Sequence, residues 1–234
     1  MDVHLAHDAD LPQRARALEA DLPPELPSGV SDEEVQRPRD GAGPLFHRIY
    51  SGSIRSTHWD AAELIECVRA DPNRVAPLSL ARFQKTRGEQ GRMEVGDEWL
   101  VRMPGPWDGP VRTIELGPQH FRFATLAGHL EAGQVEWRAQ ERDGLLRFQI
   151  ESWARAGDRL SALMHDRLRM AKEVQLHMWS SVVEKVANLT GGALERGIEI
   201  ETRRVDGDAF DQCAPTNRRC TGRAASVLEG AAQP

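Results

Sequence analysis

His129 is the residue best suited to proton transfer in this chain of 234 residues. It sits in Gly128-His129-Leu130-Glu131, between two apolar runs. A histidine titrates near neutral pH, so beside a carboxylate such as Glu131 or Glu151 it can serve as a general acid or base. The structural alternative is a histidine that hydrogen-bonds the backbone and fixes a loop, and the flanking glycines suit a shaped loop equally well. Arg102 and Glu151 are charges inside apolar strand patterns. Either can bind the polar end of a ligand, and together they can act as a pair. Arg102, however, alternates with Trp99, Val101 and Met103, and that period of two can equally put it on a wet face.

Other chemistries have little support. His165 and His177 are too far apart along one helix to share an ion, and His4 and His7 lie near the start of the chain. No HExxH and no CxxC pair occurs, so no metal is expected. Cys213 and Cys220 can form a disulfide or half a zinc site, but no second pair completes one, and they read as tail thiols. With Cys67 they make three cysteines, which suits a reduced, cytoplasmic setting. No glycine-rich phosphate loop follows a strand and no Gly-x-Ser-x-Gly is present, so no cofactor is expected.

Charge narrows the partners. Residues 1–43 hold four Arg and ten Asp/Glu, a net of −6, and the whole chain is also −6. The acidity therefore belongs to the N-terminal segment, and the near-neutral remainder has no basic stripe for nucleic acid. No apolar run is long enough to span a membrane, and the start of the chain does not resemble a signal peptide.

The elements that would position these residues are legible. Residues 1–43, with Leu22-Pro23-Pro24-Glu25-Leu26-Pro27, read as a mostly disordered acidic tail. Leu45–Arg55 reads as a strand and Trp59–Ala70 as a helix capped by Thr57 or Asp60. Six strand patterns joined by short turns follow, from Leu80 to Ala154, including a tight hairpin at Arg142-Asp143-Gly144. That spacing implies an antiparallel meander. Asp158 then opens a helix whose apolar residues Leu160, Met164, Leu168, Ala171, Val174, Met178, Val182, Val186 and Leu189 form one stripe ending at Gly191-Gly192. Residues 193–234 read as a flexible tail that could hold a short strand at Ile198–Val205.

This order of strand, helix, six-stranded meander and long helix resembles the helix-grip fold of the START-like superfamily, which includes polyketide cyclases. Within it, Gly96-Asp97-Glu98, Arg102-Met103-Pro104-Gly105-Pro106-Trp107-Asp108-Gly109-Pro110-Val111 and Phe123-Ala124-Thr125-Leu126-Ala127-Gly128-His129 resemble an uncharacterised bacterial family, domain of unknown function 1990. The resemblance implies an α+β fold over residues 44–192, with a curved antiparallel sheet of about seven strands wrapped on the C-terminal helix. It also implies a cavity between sheet and helix for a small hydrophobic or amphipathic ligand, lined by Trp99, Val101, Phe121, Phe123, Trp137, Phe148, Met164 and Met178. The same aromatics and methionines would also serve as a filled core. Three functions follow: a non-catalytic binding protein, a cyclase, hydratase or isomerase using His129 with Arg102, Glu151 or Glu131, and an interaction module working through its tail or Trp107.

Overall fold

A computed structural model describes residues 20–31, 33–55, 58–104, 108–157, 165–207 and 210–211, with side chains left out for 165–174. The expected placements of Trp107, Asp158, Leu160, Met164, Cys213 and Cys220 lie outside the described residues.

Local signals set most of the elements. The first strand, β1, spans Ala42–Arg55. Helix α1, Ala61–Ala70, starts where Asp60 accepts the Glu63 N–H and Glu63 in turn accepts the Asp60 N–H, a reciprocal cap that satisfies two otherwise orphaned donors. The meander follows as β2 (Arg82–Arg87), β3 (Glu98–Arg102), β4 (Gly109–Gly117), β5 (His120–Thr125), β6 (Glu131–Arg142) and β7 (Leu145–Ala156). Asp143 and Gly144 both take positive φ, 54° and 73°, as a two-residue hairpin with right-handed strand twist requires. Helix α2, His165–Leu189, is about 37 Å long. It ends where Gly191, at φ 64°, lets its own N–H reach the Asn188 carbonyl and the Gly192 N–H reach that of Ala187.

The strands form one curved antiparallel sheet in the order β2-β3-β4-β5-β6-β7-β1-β8. The helix-grip arrangement expected from the sequence is therefore present, with one strand more than the seven expected. The extra strand is β8, Ala193–Val205, which contains the short strand expected at Ile198–Val205 and extends it back to the helix cap. It pairs antiparallel with β1 from Leu45↔Val205 to Arg55↔Ala193, so the expected domain end at 192 cuts a hydrogen-bonded ladder. The tight cap of α2 returns the chain directly onto the free edge of β1, and backbone pairing there outweighs the polar composition that had read as a tail.

Helix α2 packs across the inner face of the sheet, where its Met178, Trp179, Val182, Val183 and Val186 join Tyr50, Ile54, Phe148 and Ile150 in one core with α1. Its buried stripe is wider than the sequence spacing suggested, because Trp179 and Val183 are also buried. The helix approaches the sheet closely at Gly52, where a Cβ would lie 2.7 Å from the Val183 side chain.

The N-terminal boundary at residue 43 also needs correction. Residues 22–31 and 33–36 run across the outer face. Buried Arg112 donates to the carbonyls of Ser31 (3.1 Å) and Glu33 (2.7 Å), and Gln134 donates to that of Pro24 (3.0 Å). Leu26, Val30 and Val35 cover Ile114, Ala124 and Leu126. A proline-rich segment is short of N–H donors but keeps its carbonyl acceptors. Side chains projecting from the sheet supply the missing partners, which sequence composition alone does not reveal.

Candidate functional site

The inner face carries an apolar floor with a polar edge. Register aligns Tyr50, Ile150, Trp137 and Phe121 in one row across the sheet, and Arg48, Ser152, Val135 and Phe123 in the next. Toward the far end of α2 the space is filled. Trp137 stacks on Phe121 at 5.4 Å and meets Phe148 and Trp179 edge-on at 6.2 and 5.7 Å. Toward the Gln175 end the face becomes polar. Arg48 donates to Gln175 (3.2 Å) and lies 4.0 Å from Glu131, and Gln175 donates to the other Glu131 oxygen. Burial pushes the Tyr50 phenol up, with Arg48 opposing and Glu131 reinforcing the shift. Val135 stands on a central strand yet is only partly buried, so the described residues cover this part of the inner face incompletely.

Seven of the eight expected lining residues are described, and all seven fall in the inner-face core: Trp99, Val101, Phe121, Phe123, Trp137, Phe148 and Met178. The proposed catalytic residues do not converge. Arg102 projects from the outer face, 52% exposed, toward Asp108 and Gln84. Glu151 also points outward, 2.6 Å from His47. His129 closes a loop: its Nδ1 accepts the Glu131 N–H at 2.9 Å, its carbonyl accepts from Gln36, and its ring packs on Gly109. Burial lowers its pKa despite the opposing influence of Glu131.

Reading the sequence missed Arg48 and Tyr50, although both share period-two alternation with Ile54, and that pattern could have placed them on the inner face. It also missed His47, whose partners come from distant segments. His47 is buried between Asp21 (2.8 Å) and Glu151 (2.6 Å), stacked 5.2 Å from Trp153, and Asp21 also meets Arg203 of β8 at 3.1 Å. Burial would lower its pKa, but the hydrogen bonds and charges of Glu151 and Asp21 outweigh burial and raise it. With a carboxylate on each ring nitrogen, the imidazolium satisfies both contacts. This stabilisation is complete below about pH 6.5, the value for an unfolded histidine, and is lost as pH rises through the higher folded pKa. The stability gap between the native chain and a His47→Gln variant, measured by urea denaturation, is therefore expected to shrink between pH 6 and pH 9. A gap that widens over this range would contradict the assignment.

Among the described residues one group has metal-ligand chemistry: Glu115, His120 and Glu136, with ligand atoms within 4.8 Å of one another. Arg122 already pairs with Glu115, and Arg138 with Glu136 at 2.6 Å. A divalent cation would meet two guanidinium groups there, so the cluster is an ion-pair network. A recess of about 370 Å³ beside it, lined by Pro118, Gln119, His120, Arg138, Ala139 and Gln140, lies at the β4–β5 turn, outside the space between sheet and α2. No helix among the described residues is long and apolar enough to cross a membrane.

No family model matches the chain, and no curated protein matches it. Solved structures are similar to part of it at low identity. The di-domain ARO/CYC StfQ from the steffimycin biosynthetic pathway is 12% identical with a TM-score of 0.47, over 66% of this chain and 52% of that one. A protein from Arthrobacter aurescens, solved by NMR, is 15% identical with a TM-score of 0.44, over 64% and 90%. Ara h 8.0201 is 11% identical with a TM-score of 0.40, over 61% and 99%. None of these likenesses assigns a ligand or reaction to this chain.

Proposed function

We propose that the chain is a binding protein for a small hydrophobic or amphipathic molecule held between the inner face of the sheet and α2. The observation that supports this reading is the partly buried Val135 on a central strand, with apolar neighbours on one side and Arg48, Tyr50, Glu131 and Gln175 on the other. Apolar surface of that kind holds a ligand body while a few placed polar groups orient its end. The separation of His129, Arg102 and Glu151 favours binding over cyclase, hydratase or isomerase chemistry. On this reading the chain is a cytoplasmic START-like protein related to domain of unknown function 1990, and the packed end of α2 serves as scaffold.

The test uses Nile red, a neutral apolar dye, with the full-length protein. Micromolar binding with a blue-shifted emission is expected, and Val135→Trp, which fills the gap, should weaken it at least tenfold while the circular dichroism spectrum is retained. Absence of binding, or binding untouched by the substitution, would overturn the placement.

A further inference from the structure

The inner face has an unmet demand of one sign. The side chains of Trp137 and Trp179 are buried, 0% and 8% exposed, and neither indole Nε1–H has an acceptor among the described residues. Buried donors in folded proteins nearly always have a partner, supplied by protein, water or ligand. The two rings stand perpendicular at 5.7 Å, so at most one N–H can point at the other ring's π face, and such a contact is weaker than the N–H···O bond an oxygen acceptor supplies. The other buried side-chain atoms without partners among the described residues are Arg69 Nε, Arg122 Nε, Gln134 Oε1 and Trp153 Nε1. Gln134, the one acceptor in that set, is on the outer face, where its amide nitrogen donates to Pro24.

The buried charges of the inner face are balanced. Arg48 faces Glu131 at 4.0 Å, and Lys85 is paired with Asp97 at 2.6 Å while also donating to the Glu89 carbonyl. A ligand carboxylate would find these two buried cations already matched and would stand near the Glu131 carboxylate. A neutral oxygen acceptor meets no such cost, and it supplies what the indoles lack. Trp137 lies in the row beside Val135, where the face is incompletely covered, and Trp179 is one helical turn from Gln175.

We infer that the ligand is a neutral, largely apolar molecule with a carbonyl-type oxygen, such as a ketone, quinone or ester, accepting a hydrogen bond from the Trp137–Trp179 pair. This rests on the binding function proposed above and specifies the chemistry of the same space.

Equilibrium dialysis of the full-length protein against three naphthalenes of similar shape separates the outcomes. The probes are 2-acetylnaphthalene, which has the acceptor, 2-ethylnaphthalene, which lacks it, and 2-naphthoate, which is charged. The ketone is expected to bind about tenfold more tightly than the hydrocarbon, the effect of roughly one net hydrogen bond, and naphthoate should be the weakest. The carbonyl stretch of the bound ketone should lie at lower frequency than in hydrocarbon solvent. Trp179→Phe and Trp137→Phe keep a ring but remove the donor. At least one should bring the ketone down to the affinity of the hydrocarbon while changing hydrocarbon binding less than about twofold. Equal binding of ketone and hydrocarbon would overturn this inference and leave the binding function standing, because buried water would then be what satisfies the indoles. Tightest binding of naphthoate would also overturn it. Failure of all three probes to bind would overturn the binding function itself.

Discussion

Trp137→Ala is expected to cost about 3–5 kcal/mol of folding stability, the range for removing a large aromatic from a packed core. Trp137 is fully buried and touches Phe83, Phe121, Phe148 and Trp179 at ring separations of 5.4–6.2 Å. It is where β5, β6, β7 and α2 meet, and rings that pack against one another do not collapse into the vacated volume. Domains of this kind have about 5–15 kcal/mol in total, so the variant should lose a large share of it. The denaturant midpoint should fall with little change in slope, and a loss below about 1 kcal/mol would show that the rings relax into the gap. Trp137→Phe fills part of that space and should cost much less, which makes it the usable variant for binding work.

Asp97→Ala should have a comparable effect by a different route. The Lys85 ammonium is 1% exposed, 2.6 Å from Asp97, over the Trp99 ring at 4.5 Å, and bonded to the carbonyls of Glu89 and Arg92. Removing the carboxylate leaves a buried charge without its counter-ion, which costs about 3–5 kcal/mol. It also removes the acceptor for the Glu94 N–H. Lys85→Met combined with Asp97→Ala removes both charges and should recover part of the loss. A double variant no more stable than Asp97→Ala would show that the two carbonyl contacts of Lys85, rather than the charge pair, hold the loop between β2 and β3. Urea midpoints of the three proteins decide between these.

The two perturbed histidines show how far the site could be read beforehand. His129 stood out because a histidine between glycines is conspicuous, yet its ring nitrogen is occupied by the Glu131 backbone N–H. Its loop role was legible as one alternative, and only the fold decided between them. His47 drew no attention in an apolar strand, because its chemistry comes from Asp21 and Glu151, 26 and 104 residues away. Arg102 could be read for its alternation, and it does face outward. Glu151 lies on the same outer face, and nothing local said that it would meet a histidine. Arg48 and Gln175 come together across 127 residues of chain.

Local rules determined the elements: the Asp60 cap, the Asp143-Gly144 hairpin, the period-two strands and the glycines that end α2 each act within a few residues. Periodicity also determined which strand residues form the inner-face core, because one buried face fixes the register of a sheet. The tertiary structure decided what composition could not. It placed residues 22–31 and 33–36 on the outer face, because arginine and glutamine side chains supply donors to a segment whose prolines have none. It added β8, because the cap of α2 delivers the chain to a free strand edge. It also decided how the grip is filled: close ring packing around Trp137 closes part of the inner face and leaves two indole donors without acceptors among the described residues, while the paired charges of Arg48 and Glu131 mark the Gln175 end.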